Sequence, residues 1–229
     1  MSTITLHCGD CRDVLPSLAD GSVACCLTDP PYGTNFAGGN VLGGYGRRQK
    51  WGIDARTITN DTDLSMIADA YPHFQRIVQT GWSAVFFHPR MVPQFMAATS
   101  ADEYFGMVVW DKKRAGLGYH IRYAHECIAI FRHGEPPRPK EPIMSVMSDW
   151  IDTVRHPHEK PVPVLCQLIE WMTKPGDTVF DPFMGVGSTG VACALTGRNF
   201  IGCELVPEYY EIACARIEGA LRQPALLTL

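Results

Sequence analysis

Several features that this 229-residue chain lacks narrow what it can be. No apolar run reaches the roughly 18 residues that a membrane-spanning helix needs. The opening segment, Met1 to Asp10, has neither a basic n-region nor an apolar h-region, so no secretory leader is read and a cytoplasmic protein is expected. Basic charge is not in excess: 20 Lys and Arg stand against 24 Asp and Glu, so any polyanionic partner must meet a local basic face. No internal repeat and no linker is visible, which leaves one domain over 1–229. Cysteine is plentiful, but the count of nine is odd and there is no leader, which argues against a disulfide framework. Cys8 and Cys11 form a lone C-x-x-C with no second pair at ligand spacing, so no metal site is expected. Cys25, Cys26, Cys127, Cys193, Cys203 and Cys214 sit in apolar runs, where a reduced cysteine acts as a small core hydrophobe.

What is present alternates short apolar runs with amphipathic helical stretches, the pattern of an α/β protein with a mostly parallel sheet. Strands are predicted at Ile4–His7, Val23–Thr28, Ala84–Phe87, Gly106–Trp110, Glu126–Phe131, Thr178–Phe180 and Phe200–Cys203. Helices are predicted at Asp63–Thr80, Val92–Ser100, Val162–Thr173, Ser188–Leu195 and Pro207–Leu221. The last repeats Tyr210, Ala213, Cys214 and Ile217 on one face. Pro72 falls inside the first and predicts a kink. Two stretches do not read as regular elements. Gly33–Asn60 is Gly-rich and leads to Asn60-Asp61 as helix caps, and His133–Pro157 is rich in proline and charge. Insertions of this length, about 33–60 and 133–157, are usually functional in a compact domain.

Two motifs carry chemistry. The first, Thr28-Asp29-Pro30-Pro31-Tyr32-Gly33, directly follows a buried strand, where open α/β sheets bind ligands. Pro30 and Pro31 stiffen the turn and remove two backbone donors, so its carbonyls can only accept. With the Asp29 carboxylate and the flat ring of Tyr32, this makes an acceptor-rich pocket suited to a planar, amino-bearing ring. Alone, such a turn is also ordinary loop punctuation. The second motif, Asp181-Pro182-Phe183-Met184-Gly185-Val186-Gly187-Ser188-Thr189-Gly190, follows a strand, opens a helix and contains G-x-G-x-x-G. Glu204 ends the next strand at about the 20-residue distance of a ribose-binding acid. That context favours a nucleoside cofactor over a purely structural turn.

With both motifs in place, the sequence resembles the amino-methyltransferases of DNA that make N6-methyladenine or N4-methylcytosine. The catalytic motif precedes the cofactor motif, which resembles the family's β arrangement, and the resemblance covers most of the chain. Cys8-Gly9-Asp10-Cys11 is similar to the segment whose aspartate, here Asp10, contacts the cofactor's adenine. Trp110-Asp111-Lys112 through His125-Glu126 resembles the late strands beside the target-base pocket. His156-Pro157-His158-Glu159-Lys160-Pro161 resembles the segment ahead of the cofactor motif, which places Lys160 with the cofactor.

The resemblance implies a doubly wound, Rossmann-like α/β fold of seven mostly parallel strands with one antiparallel. S-adenosylmethionine is the implied cofactor, held by Asp10, Lys160, Asp181, Phe183, Gly185, Gly187, Ser188 and Glu204. Asp29, Pro30, Pro31 and Tyr32 are the implied catalytic group. Tyr32 stacks on a base flipped from double-stranded DNA, while Asp29 and the Pro30 carbonyl accept its amino hydrogens. Asp in the first motif position goes mostly with adenine in this family, leaving cytosine N4 and RNA as alternatives. A nicotinamide oxidoreductase or a non-catalytic DNA-binding subunit is the competing class.

DNA contacts are expected from Arg47, Arg48 and Lys50 in the Gly-rich insertion, beside Trp51, and from Lys112, Lys113 and Arg114. The sizeable recognition domain of many relatives is missing ahead of His156. His125 and Glu126 read as residues that orient neighbouring loops rather than as acid–base catalysts. Two further partner expectations are a homodimer and, through the tail Gln223–Leu229, a replication sliding clamp.

Overall fold

The structure, a computed structural model, describes residues 2–33, 62–113, 120–149 and 159–222. Eight strands form one sheet: β1 (Ile4–Cys8), β2 (Cys25–Thr28), β3 (Gly81–Phe87), β4 (Tyr104–Asp111), β5 (His125–His133), β6 (Val146–Ser148), β7 (Thr178–Asp181) and β8 (Asn199–Glu204). Their order across the sheet is β1-β8-β7-β2-β3-β5-β4-β6. Among the described strands only β5 runs against its neighbours; every other pairing is parallel. The seven expected strands and the single antiparallel one are therefore present. The eighth, β6, corrects the reading of 133–157 as wholly irregular: Val146–Ser148 adds a parallel strand to β4 at the sheet edge.

The sequence explains the central strands. All four residues of β2 and all seven of β3 are buried, as expected of strands covered on both faces. The helices are α1 (Cys11–Val14), α2 (Ser65–Val78), α3 (Val92–Ala98), α4 (Val162–Met172), α5 (Ser188–Thr196) and α6 (Pro207–Leu221). From the middle of the sheet, β2 crosses to β3 toward one edge and β7 crosses to β8 toward the other. Because both crossovers are right-handed by the usual rule, α2 and α5 must lie on opposite faces. The strand order reverses between β2 and β7, which makes their carboxyl ends the switch point of the sheet.

Pro72 lies inside α2, which continues through it from Ser65 to Val78. Its cost, about 3 kcal/mol, is outweighed by burying Met66, Ile67, Ala70, Tyr71, Phe74, Ile77 and Val78, the larger of them worth about 1.5–3 kcal/mol each. Asn60-Asp61 lie outside the described residues; at the helix start Asp63 Oδ1 accepts the Ser65 N–H at 2.8 Å. On α6, Ala213 and Ile217 are buried and Tyr210 and Cys214 only partly so.

Candidate active site

The two motifs are joined directly by a side-chain hydrogen bond. Thr28, the last residue of β2, donates its hydroxyl to Asp181 Oδ1 at 2.7 Å, and Asp181 is the last residue of β7. The same Oδ1 accepts the Phe183 N–H at 3.0 Å and so starts the loop. Burial pushes the Asp181 carboxyl up to about 6, against hydrogen bonds from Thr28, Thr189 and Phe183 that favour the ionised form. A fully enclosed carboxylate with no cationic partner among the described residues, at the mouth of a glycine loop, is a site prepared for a positively charged ligand group.

The loop itself is shaped by its glycines. Gly185 has φ +52° and nothing within 4 Å of where a Cβ would stand, so its backbone faces open space. Gly187 has φ +79°, and a Cβ there would meet Ala213 Cβ at 2.8 Å. Gly187, expected to bind cofactor, packs the loop closely against Ala213 of α6 and is not among the residues that line the pocket. Glu204, at the end of β8, closes the loop from below: Oε2 accepts the Gly185 N–H at 3.0 Å and Oε1 that of Val206 at 2.8 Å. With a further backbone hydrogen bond from Leu205, the carboxylate is held in place at the pocket wall with acceptor capacity left over. Asp10 caps α1 by accepting the Arg12 N–H at 2.9 Å, and the Arg12 guanidinium holds its carboxyl below the usual range. Arg216 of α6 braces the assembly, donating to Val186 O at 2.6 Å and to Glu159 Oε1 at 2.5 Å.

Asp29 stands one residue beyond β2, in the same pocket as Asp10, Phe183, Gly185, Ser188 and Glu204. Its Oδ1 accepts the Tyr32 hydroxyl, and its Oδ2 is ion-paired with Lys160. Glu126, the second residue of β5, contacts the same two groups: Oε2 accepts from Tyr32 Oη at 3.1 Å and lies 3.2 Å from Lys160 Nζ. Glu126 Oε1 is ion-paired with Lys112. Burial raises Asp29 above the ordinary carboxylate value, with Lys160 opposing and the Glu126 charge adding to the rise. Burial would raise Glu126 too, but two ammonium groups outweigh it and hold it low. Lys160, 6% exposed, also lies over the rings of Tyr32 and Phe86 at 5.5 and 5.4 Å.

Several expected roles shift accordingly. Lys160 lines the cofactor pocket, but its charge sits on Asp29 and Glu126. Lys112, expected on DNA, is turned to Glu126, and Lys113 pairs with Asp111 at 2.9 Å. Tyr32 is largely buried, with its hydroxyl on Asp29, and lines the pocket. Arg47, Arg48, Lys50, Trp51, Arg114, His156, His158 and the tail Gln223–Leu229 lie outside the described residues. Glu126, placed by resemblance beside the target-base pocket and read as orienting neighbouring loops, has partners that the sequence did not show. The antiparallel sense of β5 brings this end of the strand to Tyr32 and Lys160, which line the pocket.

An acceptor-rich turn and a glycine loop meeting at the switch point of a doubly wound sheet define an enzyme that joins a nucleoside cofactor to a planar amino group. The comparisons then fix the family. The N6/N4 family model, described as DNA methylase, matches residues 23–215. The Escherichia coli (strain K12) putative methylase YubD is 33% identical over 218 residues, covering 93% of this chain and 90% of YubD. Among solved structures, TTHA0409, a putative DNA modification methylase of Thermus thermophilus complexed with S-adenosyl-L-methionine, aligns with TM-score 0.71 over 96% of each chain at 21% identity. The cytosine-N4-specific PvuII DNA methyltransferase aligns with TM-score 0.69 over 100% of this chain and 89% of its own, at 15% identity. At such identities the two structures speak for the fold alone. The chain belongs to the N6/N4 DNA methylase family, the S-adenosylmethionine-dependent amino-methyltransferases of DNA.

Proposed function

We propose that this chain methylates N6 of adenine in double-stranded DNA, with Asp29, Pro30 and Tyr32 as the residues that meet the base. The observation that carries this reading is the position of Asp29. Its carboxylate ends the strand beside the glycine loop and opens into the same pocket. A base amino group lies inside the duplex, so the base must be turned out to reach it. The Asp29 carboxylate accepts one amino hydrogen and the Pro30 carbonyl the other, which draws the nitrogen lone pair out of conjugation with the ring. Tyr32, held by its hydroxyl, offers its ring edge and face at a fixed place. When bound, S-adenosylmethionine supplies the electrophilic methyl group. The residues to hold it are Asp181, which suits a cationic group, the open backbone at Gly185, and Glu204 and Asp10 for hydroxyl and amino donors.

Asp29 then receives the proton that the amino nitrogen loses as it gains the methyl group. No strong base is needed beforehand, because methylation itself makes that nitrogen acidic. The main contributions are positioning and a fixed negative charge beside a nitrogen that turns cationic. The ionised form of Asp29 is the working one. Since burial raises its pKa, transfer is lost as the pH falls through that raised value. Adenine is preferred to cytosine because Asp, rather than Ser, opens the motif.

The test is transfer of labelled methyl to DNA, RNA and protein, followed by nucleoside analysis of the product. N6-methyladenine in DNA is the expected result. N4-methylcytosine would keep the family and replace the base, and label confined to RNA or protein would sink the reading.

A further inference from the structure

Asp29 is engaged at both oxygens: the Tyr32 hydroxyl donates to one and Lys160 is paired with the other. A carboxylate already neutralised by an ammonium draws an amino hydrogen less strongly, so transfer gains if its partners move. Both have somewhere to go. Each already touches Glu126 Oε2, at 3.1 Å from Tyr32 Oη and 3.2 Å from Lys160 Nζ. We propose that Glu126 is a positioning residue that opens the active site: as the base amino group reaches Asp29, Lys160 and the Tyr32 hydroxyl pass to Glu126. This rests on the base methylation proposed above.

Charge makes the handover cheap and useful. Two carboxylates, Asp29 and Glu126, face two ammonium groups, Lys160 and Lys112, so the cluster is neutral before and after the shift. Moving Lys160 onto Glu126 needs no new desolvation, because the lysine is enclosed in both positions. It also removes a cation from the carboxylate that must face an amino nitrogen turning cationic. A lysine left on Asp29 would oppose that charge. The groups facing Asp29 are Lys160, Tyr32 and Glu126, with Asp181 next along the pocket. Those facing Glu126 are Lys160, Lys112 and Tyr32, with His88 and Cys127 near enough to sense its charge.

The experiment compares wild type, Glu126→Gln and Glu126→Asp in full pH–rate profiles with DNA, alongside calorimetric cofactor binding. Glu126→Gln is expected to lower kcat about 100-fold, the scale of a misplaced reacting group, with cofactor affinity nearly unchanged. Removing the Glu126 charge should also move the acid limb of the profile to lower pH, because that charge raises Asp29. Glu126→Asp should restore part of kcat. A wild-type kcat in Glu126→Gln, or a lowered kcat with an unmoved acid limb, would overturn the role. Should Glu126→Gln not fold, a crystal structure of wild type with DNA and a non-reactive cofactor analogue decides. Lys160 must then lie on Glu126 and off Asp29; finding it still on Asp29 beside the flipped base ends the idea. If wild type itself transfers no methyl to DNA, the proposed function fails instead.

Discussion

Two polar clusters lie at opposite ends of β3 and β5, and they are made of similar parts. At the carboxyl end of β3, Asp29, Glu126, Lys160 and Tyr32 share hydrogen bonds at the edge of a pocket. At its amino end, Ser83 Oγ lies 2.7 Å from His133 Nε2, His133 Nδ1 lies 3.2 Å from Glu103 Oε1, and Tyr71 donates to Glu103 Oε2 at 2.8 Å. Serine, histidine and glutamate in that order are the parts of a hydrolase triad. Yet Ser83 and His133 are 0% and 1% exposed, against 22% for the Asp29 side chain. Burial lowers His133 against the pull of the Glu103 carboxylate, which favours the neutral ring; with its proton on Nδ1 toward Glu103, Nε2 is left to accept from Ser83. Its hydrogen bonds are all internal and complete. Chemistry in this molecule follows access at the switch point, not the inventory of residues.

The strongest way to break that contrast is Asp29→Ala. Transfer should fall about 1000-fold, on the scale of losing a dedicated electrostatic contact to the reacting group. Cofactor affinity should stay within about twofold, since the loop contacts remain. Lys160 keeps Glu126 as a partner in the variant, so folding should survive. Methylation at near wild-type rate would place the chemistry elsewhere.

Asp181→Asn probes the other half of the pocket. The folded-state pKa, about 6, lies above the ordinary 3.8, so the folded protein holds this proton more tightly than the unfolded chain. That contribution to stability is present below pH 4 and is lost as pH rises through 6, amounting to about 3 kcal/mol. Asn keeps the acceptor for Thr28 and Phe183 but removes the charge. Cofactor-free Asp181→Asn should therefore out-stabilise wild type increasingly from about pH 4 to about pH 6.5 in urea denaturation, with a constant difference above that, while binding cofactor more weakly. Parallel stability curves would refute the reading of Asp181 as a buried carboxylate that lacks a countercharge.

Gly187→Ala separates support from contact. Left-handed φ and the approach of Ala213 together should cost about 2 kcal/mol. A fall of about 5 °C in melting temperature is expected for a chain of this size. Excess cofactor should recover much of kcat, as the residue does not line the pocket. Loss that saturating cofactor cannot repair would return Gly187 to the binding surface.

How much of this was legible in the sequence depends on the range of the interaction. The strand–turn–helix context of Asp181–Gly190 and the buried strand before Asp29 are local, and both motifs stand where their spacing put them. Asp10 and Glu204 are likewise found by their position at or just beyond a strand end. Lys160 lines the pocket, but its ion pairs were not legible, because they span 131 residues to Asp29 and reach Glu126 on another strand. The partners of Glu126 were hidden for the same reason: the sense in which a strand runs is a property of the sheet, not of the segment. The Thr28–Asp181 bond, 153 residues apart in sequence, could only be read once β2 and β7 were neighbours.

The smallest expected effect is the sharpest control. Ser83→Ala removes the donor to His133 Nε2 and leaves a buried acceptor unpaired, which should cost about 1–2 kcal/mol. Ser83 does not line the pocket, and the strand between the two is closed by the buried Ala84, Val85, Phe86 and Phe87. A hydroxyl so enclosed has no substrate to attack, however well its histidine is aligned. The variant should thus melt slightly earlier, with kcat and KM for methyl transfer unchanged and no esterase activity to lose. A changed kcat at wild-type stability would show that the far cluster is coupled to the pocket through β3 and β5, and the division between the two ends would have to be redrawn.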